Sequence, residues 1–249
     1  MLAAVGAFAQ KQKVNHMTTF DDKLIHFGFT LGLNTMDLSV SHYNPIGNNP
    51  DFVLPPTNTW FPNEERITGG HNVRADLTKM VPGFTVGIVS SLRLSRDLNL
   101  RFLPGLSFGE RILTYNEIVV DINTGTFSNS TYDYSIKSTY LDFPLLIKYK
   151  ARRINNDRPY IIFGPAYRQD ISRTGKDDLV KLTNGGFYAE VGAGWDHYFT
   201  FFRFSVEAKF SFGLNNQLGA TPGPNQRQYY SQAIKSLRSN IFTLCFHFE

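Results

Sequence analysis

The sequence predicts an all-β protein: an antiparallel up-and-down transmembrane β-barrel of eight strands, with short periplasmic turns at one end and long extracellular loops at the other. Three observations point there. Apolar residues recur at every second position in eight separate stretches, the period of a strand with one greasy face. The connections between these stretches alternate long and short. The opposite face of the strands mixes charged residues with glycine and serine, which suits a crowded barrel interior better than a solvated surface.

Composition agrees with this class. The chain has 249 residues, of which 42% are apolar and 18% charged, and it carries 22 Phe and 12 Tyr. Soluble domains carry roughly 25% charged residues. No run approaches the roughly 18 apolar residues that a spanning helix needs. A strand with one apolar and one polar face averages out in any hydropathy window, so a barrel escapes that test. The net charge of +4 has no dense basic block behind it. "KYKARR" (148–153) reads as a solvated turn, so no nucleic-acid partner is expected.

The N-terminal "MLAAVGAFAQ" reads as the tail of a secretory signal, an apolar run ending in Ala7-Phe8-Ala9 before polar Gln10-Lys11. The expected organisation is therefore a signal remnant over 1–9, a periplasmic N-terminal segment over 10–23 and the barrel over 24–249. Cys245 is the one cysteine, so no intramolecular disulfide can form. On a strand it reads as a small buried residue.

The strands follow in order. Ile25, Phe27, Phe29, Leu31 and Leu33 alternate with His26, Gly28, Thr30, Gly32 and Asn34. Phe84, Val86 and Ile88 continue to Leu92 and Leu94, opposite Thr85, Gly87 and Arg93. Leu100, Phe102, Leu106 and Phe108 oppose Arg101, Gly105, Ser107 and Gly109. Leu141 to Tyr149 alternates against Asp142 and Lys148, and Ile161, Phe163 and Tyr167 against Ile162, Gly164, Ala166 and Arg168. Phe187 to Trp195 opposes Tyr188, Glu190, Gly192, Gly194 and Asp196. Phe202 to Phe212 opposes Arg203, Ser205, Glu207, Lys209 and Ser211. Phe242, Leu244, Phe246 and Phe248 close the series opposite Thr243, Cys245 and His247. An apolar or aromatic residue at alternate positions up to the penultimate Phe248 also resembles the C-terminal signal read by outer-membrane assembly machinery.

Long connections are expected at 38–82, 114–134, 170–185 and 215–237, and short ones at 95–99, 151–158 and 199–201. A lipocalin also has eight up-and-down strands, but its greasy face points inward and its charged face is solvated. Charges sharing a face with this much glycine favour the membrane barrel.

Candidate sites are few. "GLSFG" (105–109) matches G-x-S-x-G, but a nucleophile elbow needs a strand, a strained turn at the serine and then a helix. The alternation runs unbroken through Ser107, which reads as an interior strand residue. "GAGWD" (192–196) lacks the third glycine and the helix of a dinucleotide fingerprint. The six histidines have no metal-ligand spacing, and no cysteine cluster exists. No catalytic residue, cofactor, metal or small-molecule substrate is expected. The strongest constellation is the set of charges on the polar faces. Arg101, Asp142, Lys148, Glu190, Arg203, Glu207 and Lys209 are expected to meet as a closed structural network inside the lumen.

Three strings, "FDDKLIHFGFTLGLN" (20–34), "STYLDFPLLIKYKARRINNDRPYII" (138–162) and "FRFSVEAKFSFGLNN" (202–216), resemble the PorT family of Bacteroidota, outer-membrane barrels tied to the type IX secretion system. The resemblance spans nearly the whole barrel, although the first long loop matches nothing in the family. It implies an outer-membrane location and a non-enzymatic role in exporting proteins with a C-terminal sorting domain. The implied partners are outer-membrane lipid and other type IX components. The competing reading is a small barrel enzyme acting on lipid, such as a lipid A deacylase, which needs a Ser/His pair at the outer rim.

Overall fold

The computed structural model describes residues 14–52, 73–120, 127–172, 180, 182–219 and 231–249. The expected signal remnant at 1–9 lies outside them. Nine antiparallel segments form: β1 (Ile25–His42), β2 (Val73–Arg93), β3 (Leu98–Phe102), β4 (Gly105–Val120), β5 (Phe127–Lys150), β6 (Asp157–Asp170), β7 (Gly185–Tyr198), β8 (Arg203–Gly213) and β9 (Ile234–Phe248). Segments β3 and β4 are two halves of one stave, since both pair with β2 on one side and β5 on the other. The break falls at Leu103-Pro104, where proline has no N–H to donate to a ladder. The carbonyl of Pro104 still accepts from Ile88 N at 2.9 Å.

β1 pairs with both β2 and β9, so the sheet closes into a ring of eight staves. Closure leaves no unpaired sheet edge, which is what backbone amides require inside lipid.

The staves run further than the apolar alternation does. Sequence periodicity places long connections at 38–82, 114–134, 170–185 and 215–237, yet β1 continues to His42 and β2 begins at Val73. The β4–β5 hairpin stays paired out to Val120 and Phe127. Most outward positions of these extensions are polar, Met80 on β2 excepted: Thr35, Asp37, Ser39 and Ser41 on β1, Glu110 on β4, Ser135 and Lys137 on β5. Beyond the lipid the outward apolar run ends and the alternation inverts, with Met36 and Leu38 pointing inward between polar Thr35, Asp37 and Ser39. The short turns are likewise trimmed, with β3 starting at Leu98 and β6 at Asp157.

Between those limits the outer face is apolar. Ile25, Phe27, Phe29, Leu31 and Leu33 on β1 are all exposed, as are Phe84, Ile88, Leu145, Phe163, Phe187, Trp195, Phe210 and Phe212 around the ring. The run from Ile25 to Leu33 matches the roughly 9–11 residues that a tilted strand needs to cross a bilayer. Neighbouring rings stack across staves, with centroids 4.8 Å apart for Phe29–Phe248 and 4.6 Å for Phe84–Phe108.

The inside is layered. At the long-loop end Leu38, Ala75, Leu113, Tyr115, Ile136 and Leu237 point inward and pack with loop residues Ile46, Val180, Leu182 and Ala233. Charged residues fill the middle. Glycine makes room there: a Cβ on Gly194 would lie 2.4 Å from the Tyr160 ring, and one on Gly109 would lie 2.6 Å from Met36 Sδ. At the short-turn end residues ahead of β1 fold across the mouth.

A lumen filled along its length conducts no ions steadily. Purified barrel inserted in a planar bilayer is expected to give no stable open-pore current at moderate voltage; a large steady conductance would refute the filled interior.

Candidate functional site

The short-turn mouth is built around Asp21, in the 3-10 turn Phe20–Asp22 that precedes β1. Its carboxylate accepts from Tyr198 OH at 2.8 Å and faces Arg158 at 3.1 Å, Lys150 at 3.6 Å and Arg203 at 3.8 Å. These four partners come from β5, β6, β7 and the start of β8, so one side chain ties half the ring together. Phe20 packs on His26 with centroids 4.2 Å apart, and Arg203 lies 4.8 Å above its ring. Further out, Asn156 in the β5–β6 turn accepts from His16 N at 2.9 Å and donates to Val14 O at 2.9 Å. Arg153 also donates to His16 O. Arg158 links this mouth to neighbouring turns by donating to Ala151 O at 2.7 Å and to Asp97 at 3.2 Å. Burial pushes the Asp21 carboxyl up, but Lys150, the Tyr198 hydroxyl, Arg158 and Arg203 together hold it below the usual carboxylate range.

Above the mouth the charges sort into three groups. In the first, Arg101 donates to Glu207 Oε2 at 2.9 Å and faces Glu249 at 3.4 Å, while Arg203 donates to Glu249. Arg203 joins this group to Asp21. In the second, Lys148 donates to both Asp196 oxygens at 2.7 and 2.8 Å and sits 3.6 Å above the Tyr160 ring. In the third, Arg168 lies 3.0 Å from Asp142 and 2.6 Å from Glu190, which also holds Lys209 at 2.9 Å. Side chains of the first two groups above Asp21 have zero exposure. Charges so desolvated survive only when paired and hydrogen-bonded.

A polar string runs across the third group. Asn34 donates to Thr85 at 2.8 Å, the Thr85 and Ser107 hydroxyls share a bond of 2.9 Å, and Ser107 donates to Asp142. Ser107 is thus a buried lumen residue whose partners are a threonine and a carboxylate, with no histidine among them. One level higher, Arg111 is fully buried and donates to the hydroxyls of Ser138 and Tyr140 at 2.7 Å and of Ser239 at 3.1 Å.

A closed ring of staves, greasy outside and ion-paired inside, is the architecture of a bacterial outer-membrane barrel. The family model described as "Outer membrane protein beta-barrel domain" matches residues 8–219. The chain belongs to this family. Among solved structures, it is similar to the outer membrane protein OprG from Pseudomonas aeruginosa, at 12% identity and a TM-score of 0.42, with 90% of this chain and 93% of that one covered. It is also similar to the outer membrane protein AlkL in lipid bilayers, at 10% identity and a TM-score of 0.36, covering 89% and 90%. The N-terminal barrel domain of Pseudomonas aeruginosa OprF aligns at 13% identity and a TM-score of 0.29, covering 88% and 96%. No curated protein matches the chain.

The seven lumen charges singled out by alternation occupy this barrel as follows. All seven are buried, and two of the pairs they form are with one another, Arg101–Glu207 and Lys209–Glu190. The other three take partners outside the set: Arg203 with Glu249 and Asp21, Lys148 with Asp196, Asp142 with Arg168. The contacts fall into three groups completed by residues outside the seven, and Tyr160, which donates to Glu207 Oε2 and lies beneath Lys148, joins the first group to the second. Arg168 and Asp196 stand on polar faces legible in the sequence. Asp21 and Glu249 lie just beyond the alternating runs, where periodicity gives no sign of them.

Two stability predictions follow from this geometry. Glu190→Ala leaves Arg168 and Lys209 short of a buried partner, and breaking such a contact costs on the order of 3–5 kcal/mol. Urea unfolding from detergent micelles is expected to show that loss, with less lost in Glu190→Leu/Lys209→Met, where both charges go. Equal loss in the two variants would mean the charges matter little. Asp21 gives a pH signature. Its contribution is fully present above the unfolded carboxylate pKa of about 3.9 and is lost as pH falls through its lower folded value. Asp21→Asn should abolish that acid-limb loss, and it should open residues 14–23 to protease at neutral pH. An unchanged acid limb would remove Asp21 from the seal.

Proposed function

We propose that this barrel is a non-enzymatic component of the type IX protein secretion system, of the PorT type, needed for export of proteins with a C-terminal sorting domain. The observation that carries the reading is where the three PorT-like strings meet. The first holds Asp21; the second holds Asp142, Lys148, Lys150, Arg158 and Tyr160; the third holds Arg203, Glu207 and Lys209. These residues are remote in sequence, yet they supply most of the mouth seal and the buried ion pairs. The resemblance therefore falls on the buried interior and not on scattered membrane-facing positions, where any barrel looks alike. A filled lumen supports a role exercised through rims and loops, in contact with other outer-membrane components, and not passage of a substrate through the barrel.

The competing enzyme reading needs a serine paired with histidine at a lipid-facing rim. Ser107 is inside, hydrogen-bonded to Thr85 and Asp142, and this favours the non-enzymatic reading.

Deleting the gene is expected to stop secretion of proteins bearing the C-terminal sorting domain, while Ser107→Ala leaves export and the lipid A mass spectrum unchanged. Export that survives the deletion, together with a lipid A change in Ser107→Ala, would overturn the assignment in favour of a lipid-acting enzyme.

A further inference from the structure

One buried cluster shares Glu207 with the lumen ion pairs and adds Cys245 and His247 to it. Glu207 on β8 stands directly across from Cys245 on β9, and His247 follows two residues later on the same inward face. Their ligand-type atoms all lie within 4.8 Å of one another, and all three residues are buried. The two oxygens of Glu207 are used unequally. Oε2 accepts from Arg101 and from Tyr160 OH, both at 2.9 Å. Oε1 faces Nε2 of His247 at 3.4 Å, and Nδ1 of His247 has no hydrogen-bond partner among the described residues. Orphaned polar atoms this deeply buried are rare and call for an explanation. With the free thiol of Cys245, one imidazole nitrogen and one carboxylate oxygen make a set of S, N and O ligand atoms gathered within 4.8 Å.

From this we propose that Glu207, Cys245 and His247 bind a transition-metal dication of the Zn2+ class. Thiolate, imidazole and carboxylate are the ligands that Zn2+ takes, at about 2.0–2.3 Å, so small side-chain adjustments bring the three atoms onto one ion. On binding, Cys245 gives up its thiol proton as the S–metal bond forms. Thiolate and carboxylate then neutralise the dication; exchange of one thiol proton for the ion raises the charge of the site by one, and Glu249, 3.4 Å from Arg101, remains to balance that guanidinium. The Arg101 and Tyr160 bonds to Oε2 act as the outer hydrogen bonds that orient a ligating carboxylate. Gly32 faces Cys245 from β1, so no side chain from that stave stands against the sulfur. Thr30, across from His247, has a buried hydroxyl with no partner among the described residues.

The test uses the full chain and Co2+ as the spectroscopic probe. The protein is refolded from urea into detergent micelles with Co2+ present, so that the ion can enter before the barrel closes, and Co2+ is added in parallel to protein already folded. We expect one equivalent bound, an intense thiolate-to-cobalt charge-transfer band, and displacement of the band by Zn2+. Cys245→Ser should abolish the band in a folded barrel, with Cys245→Ala as the second variant should serine impair folding. Tyr160→Phe should weaken Zn2+ binding by roughly 10–100-fold, as loss of an outer-shell partner does. A folded wild type without the band on either route reduces the cluster to a histidine–glutamate ion pair and overturns the proposal. A band that persists in Cys245→Ser or Cys245→Ala places the metal elsewhere and overturns it equally.

Discussion

An interior just wide enough for side chains is the constraint on which everything else in this molecule depends. Eight staves enclose that much space and little more. The outward half of every stave must be apolar to face lipid, so the polar half has nowhere to go but inward. Inward charges cannot be hydrated as in a wide porin, and therefore each must find an opposite charge or, like Arg111, a set of hydroxyl acceptors. The contact between Arg101 and Glu207, residues 106 positions apart and both without exposure, is the outcome of that demand. Small residues follow from the same geometry, since Tyr160 can lie across the lumen only because Gly194 has no side chain.

This constraint also explains what the sequence reveals and what it hides. Period-two alternation exposes the fold because lipid and lumen impose opposite chemistry on neighbouring residues, and Phe202 to Phe212 against Arg203 to Ser211 is its clearest instance. The same alternation turns Arg203, Glu207 and Lys209 inward. It cannot choose their partners, because cross-lumen neighbours depend on stagger between staves far apart in the chain. Arg203 thus pairs with Glu249 and Asp21 rather than with a member of the alternating set. Asp21 leaves no periodic trace, since it belongs to a turn of three residues and not to a strand. The strand extensions beyond the bilayer are hidden for a related reason: the alternation there is inverted, with Met36 and Leu38 inward between Thr35, Asp37 and Ser39, and so reads as the end of the outward apolar run.

The "GLSFG" match illustrates the limit of short patterns. Glycine and serine are frequent here because a narrow lumen demands small residues, and a G-x-S-x-G string is then produced by packing alone. The physical context separates the two meanings. Ser107 lies in a paired strand, opposite Thr85 on one side and Tyr140 on the other, with no turn to present its hydroxyl.

The two ends of the barrel are closed by different forces, and this gives the molecule a polarity of response. The long-loop end is closed by apolar contact among Leu38, Leu113, Tyr115, Ile136 and Leu237 with loop residues. Such burial is indifferent to ionic strength. The short-turn end is closed by Asp21 against Lys150, Arg158 and Arg203, with the Asp21 side chain 21% exposed. Partly exposed charges are screened over about 8 Å at physiological ionic strength, and buried ones far less. Salt therefore acts first on the mouth that the N-terminal segment covers, while the fully buried pairs above it hold. A protein or lipid headgroup able to compete for Arg158 or Lys150 would act at that same mouth, where displacing one carboxylate frees contacts to four staves at once.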